Sequence, residues 1–280
     1  LLIPFQGYDS GSIKDMVIND DGDIIVLIDY LVYSVNQATS DCVFLAALSP
    51  EGELMWKQVY ASPSADPLLQ HPGCFYMTYH NGEYYLSGYC YYAYPQNPTH
   101  FYLTPFFVGI NSQFQEKWIL PFGMKELIRG RAYEIIPMNE DYLMGLVDNW
   151  KGAIEKITTL VFFNTKGVVT GYNPILNESL NPDYTWNVTT TAQAIDESVF
   201  ISAIYFGPHG KKNWGEIIYD TSGNVYNYNV TGQHELDYKM TRTSDDNFLV
   251  GVSVKKNSNF SSVYVYKFDE NLQSVPFDST

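Results

Sequence analysis

The chain has 280 residues, with 31 acids against 16 bases and a formal net charge of −15. A field of that sign repels phosphate backbones and anionic lipid surfaces, so neither nucleic acid nor direct membrane insertion is expected. The length supports a large core, an aromatic content of 16% with 24 Tyr suits strands better than helices, and no run of about 18 apolar residues offers a helical membrane span.

Along the chain one pattern recurs five times. An alternating run meets a tight polar turn, then an apolar strand, a variable insert, a second apolar strand, another polar turn and a short outer strand. The first turns are Asp21-Gly22-Asp23, Asn81-Gly82-Glu83, Asn139-Glu140-Asp141, Asp196-Glu197-Ser198 and Asp245-Asp246-Asn247, spaced by 60, 58, 57 and 49 residues. A period of that size built from strands alone predicts an all-β β-propeller of about five four-stranded blades. The blades are expected at about 11–60, 74–123, 130–176, 185–231 and 234–280, in one domain, with 1–7 as an extra edge strand. That edge strand is suggested by Ile3-Pro4-Phe5, which matches Leu120-Pro121-Phe122 and Val275-Pro276-Phe277.

Asn81-Gly82 and Asp21-Gly22 predict two-residue hairpins, in which both turn residues take positive φ. The strands that follow, at 24–28, 84–88, 142–146, 199–203 and 248–252, are continuously apolar, so both faces are expected to be covered. Gly88, Gly145, Ala203 and Gly251 recur late in these strands and would let sheets approach closely. The third strands end at turns beginning with Ser49, Asn111, Asn164, Asp220 and Asp269; seven residues on stand Trp56, Trp118, Gly171, Asn227 and Pro276 in an irregular outer strand. Trp56 and Trp118 are expected to pack between blades. The best helix candidate, 124–130, is a turn or two long. If Asn81-Gly82 closes a hairpin, the residue numbers of each opposed pair sum to 163, which sets Cys74 opposite residue 89 and diagonal to Cys90. A disulfide there is conceivable; Cys42, Cys74 and Cys90 as buried small hydrophobes is the plainer expectation.

The segment Ala46-Ala47-Leu48-Ser49-Pro50-Glu51-Gly52-Glu53-Leu54-Met55-Trp56 resembles the pyrroloquinoline-quinone-type propeller repeat, in which an apolar strand, a polar turn with Gly and a Trp four residues later close each blade. The second repeat keeps Trp118 but has Phe114 in the Gly position; the third and fourth keep Gly167 and Gly223 without the Trp; the fifth has neither. The resemblance implies a secreted bacterial propeller. It carries no quinone site, and no cofactor or metal is expected. Phe277-Asp278-Ser279-Thr280 is similar to the linker before a C-terminal sorting domain of type IX secretion, which implies an extracellular or cell-surface location.

All five inserts are expected on one side of the blades, where variable loops on a fixed scaffold bind partners. The aromatic stretch Gly88-Tyr89-Cys90-Tyr91-Tyr92-Ala93-Tyr94 provides faces for a sugar ring or a protein surface. Tyr91, Tyr92, Tyr94, Trp150 and Trp214 are therefore the expected ligand-binding residues, with a protein or glycan as partner and membership of a larger surface assembly as a further possibility. On this reading the chain recognises a partner and is not an enzyme. The alternative is a glycoside hydrolase with Asp15, Glu134 and Glu235 converging from three blades. That chemistry needs one acid to protonate the leaving oxygen and a second to activate water or attack carbon.

Overall fold

The computed structural model describes residues 10–34, 37–60, 68–93, 99–123, 129–151, 155–175, 185–196, 199–207, 213–233, 235–257 and 260–277. They form nineteen strands in five antiparallel sheets, each a run of consecutive strands. The first sheet is β1 (Ser10–Ile18), β2 (Ile24–Ser34), β3 (Gln37–Leu48) and β4 (Leu54–Tyr60). The second is β5 (Leu69–His80), β6 (Glu83–Ala93), β7 (Phe101–Ile110) and β8 (Glu116–Pro121). The third is β9 (Arg129–Pro137), β10 (Tyr142–Lys151), β11 (Glu155–Asn164) and β12 (Val169–Pro174). The fourth is β13 (Thr185–Ala194), β14 (Val199–Gly207), β15 (Asn213–Asp220) and β16 (Val225–Gln233). The fifth is β17 (Glu235–Arg242), β18 (Phe248–Asn257) and β19 (Phe260–Phe268), beside which the bridge Phe268–Ser274 begins an outer strand. The fold class is the all-β, five-bladed β-propeller.

The chain divides into two compact units, and the division falls within the third sheet. Unit 1 holds the first two sheets, β9 and the turn end of β10 and β11; unit 2 holds the fourth and fifth sheets. In unit 1, Ile25, Leu27, Val43, Leu45 and Ala47 of the first sheet pack with Tyr84, Leu86, Phe106, Val108 and Ile110 of the second. The alternate residues Val26, Ile28, Phe44 and Ala46 form a separate buried cluster. Both sides of β2 and β3 are thus hidden, as their unbroken apolarity requires. In unit 2, Ile201, Ile218, Met240, Phe248, Val250, Val252 and Phe268 share a core. The third strand of the fifth sheet departs from the expectation: Val263 is 73% and Val265 50% exposed. Only a bridge, rather than a full strand, covers it among the described residues.

All five second turns have one construction. Ser49, Asn111, Asn164, Asp220 and Asp269 each accept two backbone N–H groups on one side-chain oxygen, from the residues two and four positions on. Such side chains mimic a backbone turn. The residue three positions on takes positive φ: Gly52, Gly167 and Gly223, but also Phe114 (59°) and Leu272 (62°). The two repeats that lack the Gly therefore keep its conformation, at about 1–2 kcal/mol each. Packing offsets the cost. The Phe114 ring lies 4.0 Å from Trp56 and 5.2 Å from Tyr84, and its carbonyl accepts the Tyr60 hydroxyl at 2.8 Å.

Among the first turns, Asn81 (φ 50°) and Gly82 (76°) form the predicted two-residue hairpin, with His80 opposite Glu83. At Asp21-Gly22 only Gly22 is left-handed. Asn19 Oδ1 takes the N–H groups of Asp21 and Asp23, and this longer side-chain-capped turn replaces the two-residue one.

Outer strands of the second, third and fourth sheets tie each to the turn of the next. The Trp118 indole N–H donates to Thr165 O at 3.0 Å, Asn173 Nδ2 to Thr221 O at 2.7 Å and Asn227 Nδ2 to Asn271 O at 3.1 Å. The indole of Trp118 lies against Gly109 and Gly167, where a built Cβ would come within 2.3 and 2.6 Å of it. Close approach also explains Gly145, whose Cβ would meet Phe107 at 2.6 Å, and Gly88, whose Cβ would strike Gly73 O at 1.9 Å. Gly251 faces no such contact; the nearest atom to its Cβ would be Lys239 O at 3.8 Å.

The register of β5 corrects the cysteine geometry. A bulge between Cys74 and Tyr76 shifts the pairing by one, so Cys74 lies opposite Gly88. Cys74 and Cys90 are buried thiols with no disulfide between them. The Cys42 side chain, residues 1–7 of the expected edge strand and residues 124–128 of the expected helix lie outside the described residues; Arg129 and Gly130 begin β9.

Candidate functional site in unit 1

The first strands of the three sheets in unit 1, β1, β5 and β9, lie side by side and are tied at one level. A bulge between Ile13 and Asp15 leaves Lys14 outside the β1–β2 ladder. Beside it, Asp15 Oδ1 accepts the Met16 N–H at 3.1 Å and Oδ2 accepts the Met77 N–H of β5 at 3.0 Å. One position on, Thr78 Oγ1 donates to Ile135 O of β9 at 2.7 Å, and Ser87 Oγ of β6 donates to Tyr133 O. Glu134, half-buried, sits between those two acceptors on β9. Asp15 and Glu134 thus flank β5 from the two neighbouring first strands. Glu235 begins β17, opposite Val254, in unit 2; its side chain lies outside the described residues.

Bulges on β5 shape the space between. Gln70 pairs with Tyr91 and Gly73 with Tyr89, so His71 and Pro72 share one partner position, and His71 takes a φ of 47°. Bulges re-aim side chains, and left-handed non-glycine residues cluster at functional sites. Phase changes at both ends of the segment 70–76 turn an aromatic row to one side. Phase and spacing are visible in the rings: Phe75 to Tyr89 5.4 Å, Tyr89 edge-on to Tyr91 at 6.5 Å, and His71 edge-on to Tyr91 at 5.9 Å. Gly73 makes room, since a Cβ there would already touch the Tyr89 ring at 3.4 Å.

Cations flank the row. Lys14 Nζ is 5.4 Å from the Phe75 centroid, Arg131 Cζ 5.3 Å from Tyr89 and Arg129 Cζ 5.8 Å from Tyr102. Each lies within the reach of a cation–π contact. The strongly shifted ionisable groups lie elsewhere, near the turns. Burial pushes the Tyr60 and Tyr85 hydroxyls well above the usual phenol range, helped in Tyr85 by its bond to Glu83. A hydrogen bond from Lys267 holds Asp245 well below the usual carboxylate range.

Of the five expected ligand-binding residues, Tyr91 belongs to the row and is 40% exposed. Tyr92 points to the other side of β6 and packs on the unit 1 core. Tyr94 lies outside the described residues, as do the side chains of Trp150 at the end of β10 and Trp214 on β15. Sequence reasoning missed Lys14, His71, Phe75 and Arg131. The second blade was expected from about 74, whereas β5 begins at Leu69 and carries His71 and Pro72 in a bulge.

No protein-family model matches the chain, and no curated protein matches it. Solved structures do. A protein of unknown function from Dyadobacter fermentans aligns over 97% of this chain and 86% of its own, at 10% identity and a TM-score of 0.61. An ulvan lyase, a polysaccharide lyase bound to -[GlcA(1-4)Rha3S]-, aligns over 93% of this chain and 68% of its own, at 12% identity and 0.53. A thermostable family-43 glycoside hydrolase aligns over 98% of this chain and 96% of its own, at 10% identity and 0.50. Neither the quinone-type repeat nor type IX export finds support among them. The expectation of a chain that is not an enzyme is corrected: the structures whose fold it shares include a polysaccharide lyase and a glycoside hydrolase, so the fold fits catalysis as well as recognition.

Proposed function

We propose that the chain is a glycan-cleaving enzyme, a glycoside hydrolase whose site lies on the first strands of unit 1. The observation that carries this reading is Asp15 of β1, held beside β5 by two backbone N–H groups, with a second acid, Glu134, on β9, the first strand that adjoins β5 from the other neighbouring sheet. Asp15, oriented by two backbone N–H groups, serves as the base or nucleophile. Glu134, half-buried on β9, serves as the acid that protonates the departing oxygen. Tyr89, Tyr91 and Phe75 supply faces on which a sugar ring stacks. The shared fold with a family-43 glycoside hydrolase supports the reading without assigning any residue. The site acts on glycans outside the cell or at its surface.

The test is the release of reducing ends from a panel of neutral and acidic polysaccharides. Asp15→Asn and Glu134→Gln should each lower kcat by about 100- to 10,000-fold with the melting temperature held, the range for loss of a positioned acid or base. Cleavage that survives both substitutions overturns the assignment, as does a wild-type chain that cleaves none of the panel.

A further inference from the structure

The flanking cations carry more than a neutral sugar would need. Stacking on Tyr89 and Tyr91 alone is sufficient for an uncharged ring, because the aromatic face meets the C–H side of the sugar. Here Lys14 also lies over Phe75 and Arg131 over Tyr89, and Arg129, two positions before Arg131 on β9, lies over Tyr102. The chain as a whole holds 31 acids and 16 bases, so a local grouping of three cations in unit 1 runs against its composition. Three other cations of the described residues are in ion pairs: Lys117 with Glu83, Arg242 with Asp246 and Lys267 with Asp245. Among the described residues neither Arg129 nor Arg131 is in an ion pair; each lies over a tyrosine ring and is exposed. A guanidinium stacked by its face keeps its N–H fork at the edge, the geometry that takes a carboxylate or sulfate by two parallel hydrogen bonds.

We propose that unit 1 recognises an anionic sugar, a glycan bearing carboxylate or sulfate ester groups, with Arg131 and Arg129 as the anion-binding fork, Lys14 as a second positive point and Phe75, Tyr89 and Tyr91 as the stacking platform. The inference deepens the hydrolase reading by naming the substrate class. His71, held edge-on to Tyr91 by the bulge in β5, sets the angle of that ring.

Affinity electrophoresis and calorimetry with three polymers test it: polygalacturonate for carboxylate, a sulfated galactan for sulfate ester, and dextran as the neutral control. The wild-type chain should bind at least one anionic polymer and bind dextran weakly or not at all; which of the two it retains identifies the charged group. Arg131→Ala should weaken anionic binding by about 10- to 100-fold, the size expected for hydrogen bonds to a charged group. Arg131→Lys, which keeps the charge and loses the fork, should recover only part of it. Equal affinity in Arg131→Ala and wild type, with both folded by circular dichroism, overturns the inference, and so does a preference for dextran. The two readings separate cleanly. Cleavage of a neutral glycan without anionic binding removes this inference and leaves the hydrolase. Anionic binding without cleavage removes the hydrolase and leaves this inference.

Discussion

Trp118→Ala removes the side chain that joins the second sheet to the turn of the third. The indole lies directly on Gly109 of its own sheet and Gly167 of the neighbouring turn, touches Tyr85 and Phe163 at 6.1 and 5.9 Å, and donates to Thr165 O. Full burial of a Trp makes truncation cost about 3–5 kcal/mol, and this half-buried ring belongs at the lower end, about 3 kcal/mol. The donated hydrogen bond accounts for about 1 kcal/mol of that. For a chain of this length each kcal/mol moves the midpoint by about 2–4 °C, so Tm should fall by about 6–12 °C. Differential scanning calorimetry measures it, with Trp118→Phe as the control that restores a ring and loses the N–H. Trp118→Phe should fall by about a third as much, set by the lost hydrogen bond. A drop below about 2 °C for the alanine variant would place the indole at the surface and refute the stapling role.

Two further predictions concern pH. Asp245 is held as a carboxylate by Lys267, at 2.6 Å, and by Thr243, so its contribution to stability is present above the unfolded value of about 3.9 and is lost as the pH falls below it. Thermal melts should show wild type above Asp245→Asn at neutral pH, with the gap closing in acid; a constant gap contradicts the assignment. Burial, and then the bond to Glu83, keeps Tyr85 protonated, so its contribution is complete below about pH 10 and disappears as the pH rises through its higher folded value. Tyr85→Phe should therefore lose less stability than wild type on alkaline titration, and parallel loss in the two proteins would exclude the effect.

The scaffold was readable in the sequence because its rules are local. Ser49, Asn111, Asn164, Asp220 and Asp269 open turns by bonding their own backbone, a property of the side chain that needs no distant partner. The apolar runs of β2 and β6 announce burial on both faces for a similar reason. Where a local rule was broken, tertiary packing decided: Phe114 and Leu272 take the glycine conformation because core residues hold them there. The site was far less legible. Asp15 and Glu134 could be named as acids of first strands, but their flanking of β5 depends on inter-sheet hydrogen bonds. Tyr91 stood out by composition, while its neighbour Tyr92, identical in type, faces the core through strand alternation. Lys14, His71 and Phe75 were invisible because bulges place them, and a bulge is set by pairing between strands; Arg131 was invisible because the ring it meets, Tyr89, belongs to another sheet. Asp148, followed by the equally buried Asn149, and Glu216 also escaped notice, because each stands within a strand beside a long apolar run.

The central claim is that a glycan sits on the aromatic row between Asp15 and Glu134. A crystal structure of Glu134→Gln, trapped with an oligosaccharide that the wild-type chain cleaves, tests it most directly. The account predicts a sugar ring stacked on Tyr89 or Tyr91, its glycosidic oxygen within hydrogen-bond reach of residue 134 and Asp15 on the opposite side. A glycan bound in unit 2, or one on unit 1 that approaches neither carboxylate, would contradict it.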